Sequence, residues 1–157
     1  MTQSSSLGYL MAEAARLLRS AIELELTDAG LGLTSSEARA LAHVAELGGA
    51  RQAEIADAMG VEPMTVCAYL DRLEKAGLVE RTPDPRDRRA KNVRATAEAE
   101  AVLAAVRSRA GDLYDQLFSQ FDATERARFL ESLTLLRDTL RRRLDTPQAG
   151  CAKVDRA

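Results

Sequence analysis

The stretch Val61–Gly77, VEPMTVCAYLDRLEKAG, constrains the fold more than any other part of the chain. It reads as one helix with marked ends. Glu62 stands where it can cap the first turn, and Pro63 suits the first helical position because no backbone donor is needed there. Gly77 supplies a left-handed stop. Val66, Leu70 and Leu73 fall at i, i+4 and i+7, an apolar stripe for docking on a core. The opposite face carries Met64, Thr65, Cys67, Ala68 and Arg72. With one arginine and no lysine, that face is suited to entering a groove rather than to being solvated.

The flanking segments give this helix its setting. Thr34-Ser-Ser-Glu37 has the form of a capping box, and predicts a helix to about Leu47 with Leu41, Val44 and Leu47 as its core stripe. Gly48-Gly49 stops it. Arg51 and Gln52 open a short helix anchored by Ile55 and Met59 and stopped by Gly60. Two helices joined by a tight glycine-containing turn are the sequence form of a helix-turn-helix. After Gly77 the period changes. Leu78–Thr82 and Lys91–Ala95 are predicted to be short strands, joined by Pro83-Asp-Pro-Arg-Asp-Arg-Arg-Ala90 as an exposed arginine-rich tip. That order is a winged helix-turn-helix, with the helix after Glu62 as the reader of DNA bases.

Charge agrees with a local contact rather than a general coat. The formal net charge is only −2 over 157 residues. Yet Arg81, Arg86, Arg88, Arg89, Lys91 and Arg94 share one short segment with two acids, Asp84 and Asp87. The two cysteines, Cys67 and Cys151, show no CxxC or His/Cys ligand spacing. This predicts no structural disulfide and fits a reducing cytoplasm. Neither a signal peptide nor a membrane span is expected. There is one histidine, no glycine-rich phosphate loop, no metal-ligand cluster and no GxSxG. No enzyme, cofactor or metal site is therefore expected.

The ends of the chain are helical and broadly apolar. Leu7–Thr27 carries Leu10, Ala14, Leu17, Leu18, Ala21 and Ile22 on one face, widened by Tyr9, Met11 and Leu24. Thr96 can cap a helix to about Gln120, and Asp122-Ala-Thr-Glu125 is a second capping box opening a last helix to about Leu144. Leu103, Val106, Ala110, Leu113 and Leu117 line the first of these; Phe129, Leu133, Leu136, Leu140 and Leu144 line the second. This is more apolar stripe than a winged domain can cover, and a homodimer is the simplest remedy. The expected fold class is mainly α: a winged helix-turn-helix with a two-stranded β wing and N- and C-terminal dimerisation helices. The expected divisions are residues 1–30 for the first dimerisation helix, 31–96 for the winged domain, 97–145 for the second dimerisation region and 146–157 for a disordered tail.

Several motifs together resemble the MarR family of bacterial transcription regulators, with the SlyA-like members nearest. They are Leu33-Thr34, Gln52-Ala-Glu-Ile-Ala56, Val61-Glu-Pro-Met-Thr65, Leu70-Asp-Arg-Leu-Glu74, Gly77-Leu-Val-Glu-Arg81 and Asp84-Pro-Arg-Asp-Arg-Arg-Ala-Lys91. Ala95-Thr96 departs from the family's usual Leu-Thr, as does the lack of a glycine shortly after it. The first helix has no cysteine, so the peroxide-sensing mechanism of some members does not carry over. The resemblance implies a homodimer on pseudo-palindromic double-stranded DNA, with half-sites about one helical turn, roughly 34–36 Å, apart. It implies a repressor released by a small ligand.

The candidate groove-facing residues are Pro63, Met64, Thr65, Cys67 and Ala68, with Thr65 able to hydrogen-bond and Met64 and Ala68 able to meet a thymine methyl. Arg51 and Gln52 are candidates for a phosphate grip. Arg72 either contacts phosphate or pairs with Asp71 or Glu74. In the wing, Arg86, Arg88 and Arg89 would lie along the backbone, and the resemblance assigns Asp87 to holding Arg89. Arg39 and His43 are candidates for an anionic aromatic effector, against the plainer reading of His43 as a partly exposed helix residue. Cys67 is either a small apolar contact or a redox switch. The rival reading of the whole chain is a winged-helix protein-interaction module that does not bind DNA.

Overall fold

The computed structural model describes residues 3–84 and 91–145. Its elements run α1 (Gln3–Asp28), α2 (Ser35–Leu47), β1 (Ala50–Arg51), α3 (Gln52–Met59), α4 (Pro63–Lys75), β2 (Val79–Pro83), β3 (Lys91–Ala95), α5 (Ala97–Leu117) and α6 (Ala123–Asp145). They form two compact units that divide within α5, one reaching to Tyr114 and the other starting at Asp115.

In the first unit, α2, α3 and α4 pack on one another and on a small antiparallel sheet. Leu41 and Val44 of α2, Ile55 and Ala56 of α3, and Val66, Leu70 and Leu73 of α4 are wholly buried. Leu78, Val79 and Val93 close the core from the sheet side, and Ala99 and Leu103 from α5. The periodicity seen in the sequence maps onto burial for all of these, because only one face of each helix meets this core. Leu47, expected in the α2 stripe, is instead 46% exposed at the end of that helix, where the chain turns away at Gly48.

The helix ends follow from local chemistry. At α2, the Thr34 hydroxyl accepts the Glu37 amide (3.2 Å), and the Glu37 carboxylate accepts the Thr34 amide (2.8 Å). At α6, Asp122 and Glu125 make the same reciprocal pair. Helix α4 ends in a Schellman turn: Gly77, at φ 72°, donates to Glu74, and Leu78 donates to Leu73. One expectation fails at the other end of α4. Glu62 occupies the N-cap position, but its side chain makes no capping bond. Pro63 at the first helical position, with no N–H of its own, already reduces the number of orphan donors.

The sheet holds a strand that the sequence reading missed. Its order is β1-β3-β2, with Ala50 opposite Val93 and Arg51 opposite Asn92. The wing strands were expected at 78–82 and 91–95; β2 is shifted by one residue, and Val79 pairs with Ala95. Strand β1 is two residues long, too short to show a period of two. Its approach to β3 depends on Gly49. This residue sits at φ 115°, and a Cβ there would lie 2.8 Å from Arg94 Nε and 3.1 Å from Asn92 Oδ1. At the N-terminus, α1 begins at Gln3 rather than Leu7.

The outer helices bury little. Leu7, Tyr9, Leu10, Leu17 and Leu24 of α1 are exposed, and among the described residues none of α6 is buried. In the second unit, Phe118, Phe121 and Phe129 form a triangle of ring contacts with centroids 5.3–6.2 Å apart, and the Arg126 guanidinium lies over Phe118. The expected tail at 146–157 lies outside the described residues.

Candidate nucleic-acid interface

Helix α4 is divided sharply into two faces. Val66, Leu70 and Leu73 are fully buried, while Met64, Thr65, Ala68, Asp71 and Arg72 are exposed. Met64 projects from the first turn with 81% of its surface accessible. Cys67 is half-buried at the edge, its Sγ 4.0 Å from the Asp71 carboxylate. The first turns of the exposed face, with Met64, Thr65 and Ala68, are uncharged, Asp71 and Arg72 follow them, and the core behind fixes the orientation of the helix.

Three polar clamps hold α4 at its ends. Gln52, the first residue of α3, donates its amide to the Pro63 carbonyl (2.9 Å) and so ties the start of α3 to the start of α4. Arg81 of β2 donates to Asp71 (2.7 Å) and Glu74 (2.6 Å), fixing the last turns of α4 to the sheet. Burial alone would lower the Arg81 pKa, but the two carboxylates raise it above the ordinary arginine value. Arg72 donates to Glu37 of α2 at 2.9 Å. Glu37 is 3% exposed. Burial pushes its carboxyl up, but the Thr34 amide and the Arg72 guanidinium outweigh this and hold it below the usual carboxylate value.

These clamps correct two readings of the sequence. Arg72 does not pair with Asp71 or Glu74; those acids belong to Arg81, which sits one strand away in space and seven or more residues away in sequence. Arg81 in turn is not part of an exposed basic patch, since only 12% of its side chain is accessible. Lys91 and Arg94 do remain exposed on β3.

Arg51 marks the junction of β1 and α3. Its amide donates to Glu54, and its Nε donates to Asp84 at 2.8 Å. Asp84 is 5% exposed, a buried acid at the root of the wing. In the sequence it stands as an acid among arginines and the first residue of the wing motif, and nothing local marks a partner that lies 33 residues away. Arg86, Asp87, Arg88 and Arg89 lie outside the described residues.

The two candidate effector residues, Arg39 and His43, do not line the open groove that runs along α1. Arg39 donates to the Met59 carbonyl, and His43 lies 3.6 Å from Glu46 on its own helix. That groove, of about 520 Å³, is lined by Arg16, Arg19, Ser20, Glu23, Leu24, Thr27 and Ser35. Glu23 accepts the Ser35 amide across it at 2.6 Å. Among the described residues, no group of acids, cysteines and histidine could hold a metal ion.

Comparison with known proteins places this architecture. The sequence profile of the MarR family matches residues 33–91, the span from the buried Leu33 to the first residue of β3. An uncharacterized HTH-type transcriptional regulator, YsmB of Bacillus subtilis (strain 168), is 31% identical over 98 residues, covering 62% of this chain and 67% of that protein. The chain belongs to the MarR family. Members of this family are transcriptional regulators, not enzymes. Among solved structures, a crystal structure of MarR superposes with a TM-score of 0.81 at 28% identity, covering 93% of this chain and 99% of that one. A mutant MarR from E. coli, complexed with operator DNA, gives a TM-score of 0.75 at 24% identity over 83% and 93% of the two chains, a likeness of fold. CouR from Rhodococcus jostii RHA1, bound to p-coumaroyl-CoA, gives 0.72 at 28% identity over 89% and 92%. The MarR fold thus extends beyond the profile match to the outer helices.

Proposed function

We propose that this MarR-family regulator is a homodimeric, sequence-specific DNA-binding protein in which α4 enters the major groove. The two-faced α4 carries the reading. One side is locked into the core by Val66, Leu70 and Leu73, and the other offers Met64, Thr65 and Ala68 to a partner. A rigid helix with small groove-facing residues suits apolar contact with thymine methyls and hydrogen bonding by Thr65. Pro63 and Cys67 flank that face, with Cys67 as a small contact residue. Arg72, with Arg86, Arg88 and Arg89 of the wing, would meet phosphates or the minor groove, and Asp87 would hold Arg89. Arg51 and Gln52 would grip a phosphate at the start of α3, and their bonds to Asp84 and the Pro63 carbonyl also tie that corner to the root of the wing and the start of α4. The operator complex of the E. coli relative supports this use of the fold.

The exposed apolar faces of α1 and α6 support dimerisation through residues 1–30 and 97–145, leaving 31–96 as the reading head. The combination of motifs from Leu33 to Lys91 is what supports a SlyA-like assignment within the family. A cytoplasmic setting fits a regulator among whose described residues no helix is long and apolar enough to cross a membrane.

A ligand-responsive repressor is the finer reading. CouR with its bound p-coumaroyl-CoA supports a small-molecule effector. In this chain the groove along α1 offers Arg16 and Arg19 to an anionic ligand, with Arg39 and His43 on the neighbouring helix α2. Such a ligand would release DNA in so far as it binds the non-reading dimer more tightly.

The test is selection of duplexes from a random pool by the full chain. The expected product is two inverted half-sites whose centres lie about 10–10.5 base pairs, or a multiple, apart. A pool that stays random after repeated rounds would favour the protein-interaction module.

A further inference from the structure

We infer that Glu37 is a positioning residue for DNA binding: it holds Arg72 so that the outer edge of the guanidinium meets a phosphate. The inference rests on the DNA-binding reading above and adds to it a residue from outside the helix-turn-helix pair α3–α4.

The geometry separates the two edges of Arg72. Its Nη1 lies 2.9 Å from Glu37 Oε1, and among the described residues Glu37 is its one ion-pair partner. Yet 67% of the Arg72 side chain is accessible while Glu37 is almost wholly covered. The carboxylate therefore sits behind the guanidinium, on the core side, and the remaining donors face outward. Arg72 also lies on the same exposed face of α4 as Thr65 and Ala68, at i+7 and i+4 from them. A guanidinium carries five donors in a flat fork, so one edge can be anchored while another binds an anion.

Glu37 itself is unable to swing. Its Oε2 takes the Thr34 amide at 2.8 Å, which fixes the carboxylate in the first turn of α2 and leaves Oε1 for Arg72. A long, flexible arginine loses most of its rotamer freedom when it is ordered. Here the ordering is already done before DNA arrives, which lowers the entropic cost of the contact. The opposite role is also physically clear: a carboxylate this close could compete with phosphate for Arg72 and weaken binding. The burial of Glu37 and the outward exposure of Arg72 favour positioning, and the two roles predict opposite signs.

The decisive variant is Glu37→Gln. Glutamine is as good a capping-box partner as glutamate, so the Thr34 bond and the first turn of α2 are kept while the charge that holds Arg72 is removed. The probe is the duplex enriched by the wild-type protein from the random pool, titrated at several salt concentrations. Arg72→Ala should lower the slope of log K against log salt by about one unit, the signature of one lost phosphate contact. E37Q should weaken binding severalfold and lower the slope in the same direction. In an Arg72→Ala background, E37Q should have no further effect.

Tighter binding or a steeper slope in E37Q would overturn the inference in favour of competition. An equal effect of E37Q with and without Arg72 would overturn it in favour of a purely structural role in α2. Arg72→Lys gives a check that leaves Glu37 untouched. It keeps the charge but loses the fork, and should bind nearly as weakly as Arg72→Ala; wild-type affinity would contradict a two-edged contact. A wild-type protein that enriches no duplex removes the DNA-binding reading and this inference together, whereas a wild type that binds with E37Q unchanged removes the inference alone.

Discussion

Glu37 shows how much a single side chain can connect. It closes the capping box of α2 through Thr34 and reaches across to Arg72 on α4. Its carboxyl is held below its ordinary value of 4.5 by partners that outweigh burial. A depressed folded-state pKa means that the ionised form is favoured by folding, so its contribution is complete above the unfolded value and is lost as pH falls through the folded one. The stability gap between wild type and E37Q, read from urea unfolding, should thus be constant above about pH 6 and close as pH drops below the normal carboxylate range. A gap independent of pH would mean that the charge does not matter. The capping role was legible in the sequence because Thr34 and Glu37 are three residues apart. The bond to Arg72 was not, since it spans 35 residues. The same limit hid the partners of Arg81 and Asp84. Short-range pairing rules assign Asp71 and Glu74 to Arg72, and only the packing of β2 against α4 hands them to Arg81.

At the scale of elements, apolar periodicity and terminal signals located each helix among the described residues, most sharply α2, α3 and α4, which each meet a single core on one face. What escaped was β1, whose two residues carry no pattern. Its presence explains the second of two adjacent glycines. Gly48 ends α2 in the left-handed region. Gly49, at φ 115°, then brings the chain against Arg94 and Asn92 of β3. Gly49→Ala should therefore destabilise the protein by roughly 1–3 kcal/mol, mostly from backbone strain at a conformation that L-residues avoid. Thermal or urea unfolding measures this; a loss below a few tenths of a kcal/mol would show that the turn relaxes freely. The Arg94 side chain nearest the added methyl is flexible enough to move aside, so the backbone cost should dominate. The wing tip, with Arg86, Asp87, Arg88 and Arg89, remains a reading of the sequence.

For the whole molecule, the outer helices pose the main physical question. Among its described residues helix α6 has none that is buried, although Phe129, Leu133, Leu140 and Leu144 repeat along it. An isolated helix gains most of its stability from packing such a face, so a second copy should cover it. For the proposed homodimer, light scattering should show wild type as a dimer and Leu133→Asp combined with Leu140→Asp as a monomer at the same concentration. A double variant that still dimerises would move the interface elsewhere. Family membership, the two-faced α4 and these uncovered helices lead to one account: paired reading heads on duplex DNA. Its most direct test is binding of the full chain to the promoter DNA adjoining its own gene, titrated against salt with a scrambled duplex beside it. The account predicts saturable, selective binding by a dimer, falling with salt at about −0.9 in logarithmic slope for each phosphate neutralised. No binding to either duplex, even at low salt, would contradict it.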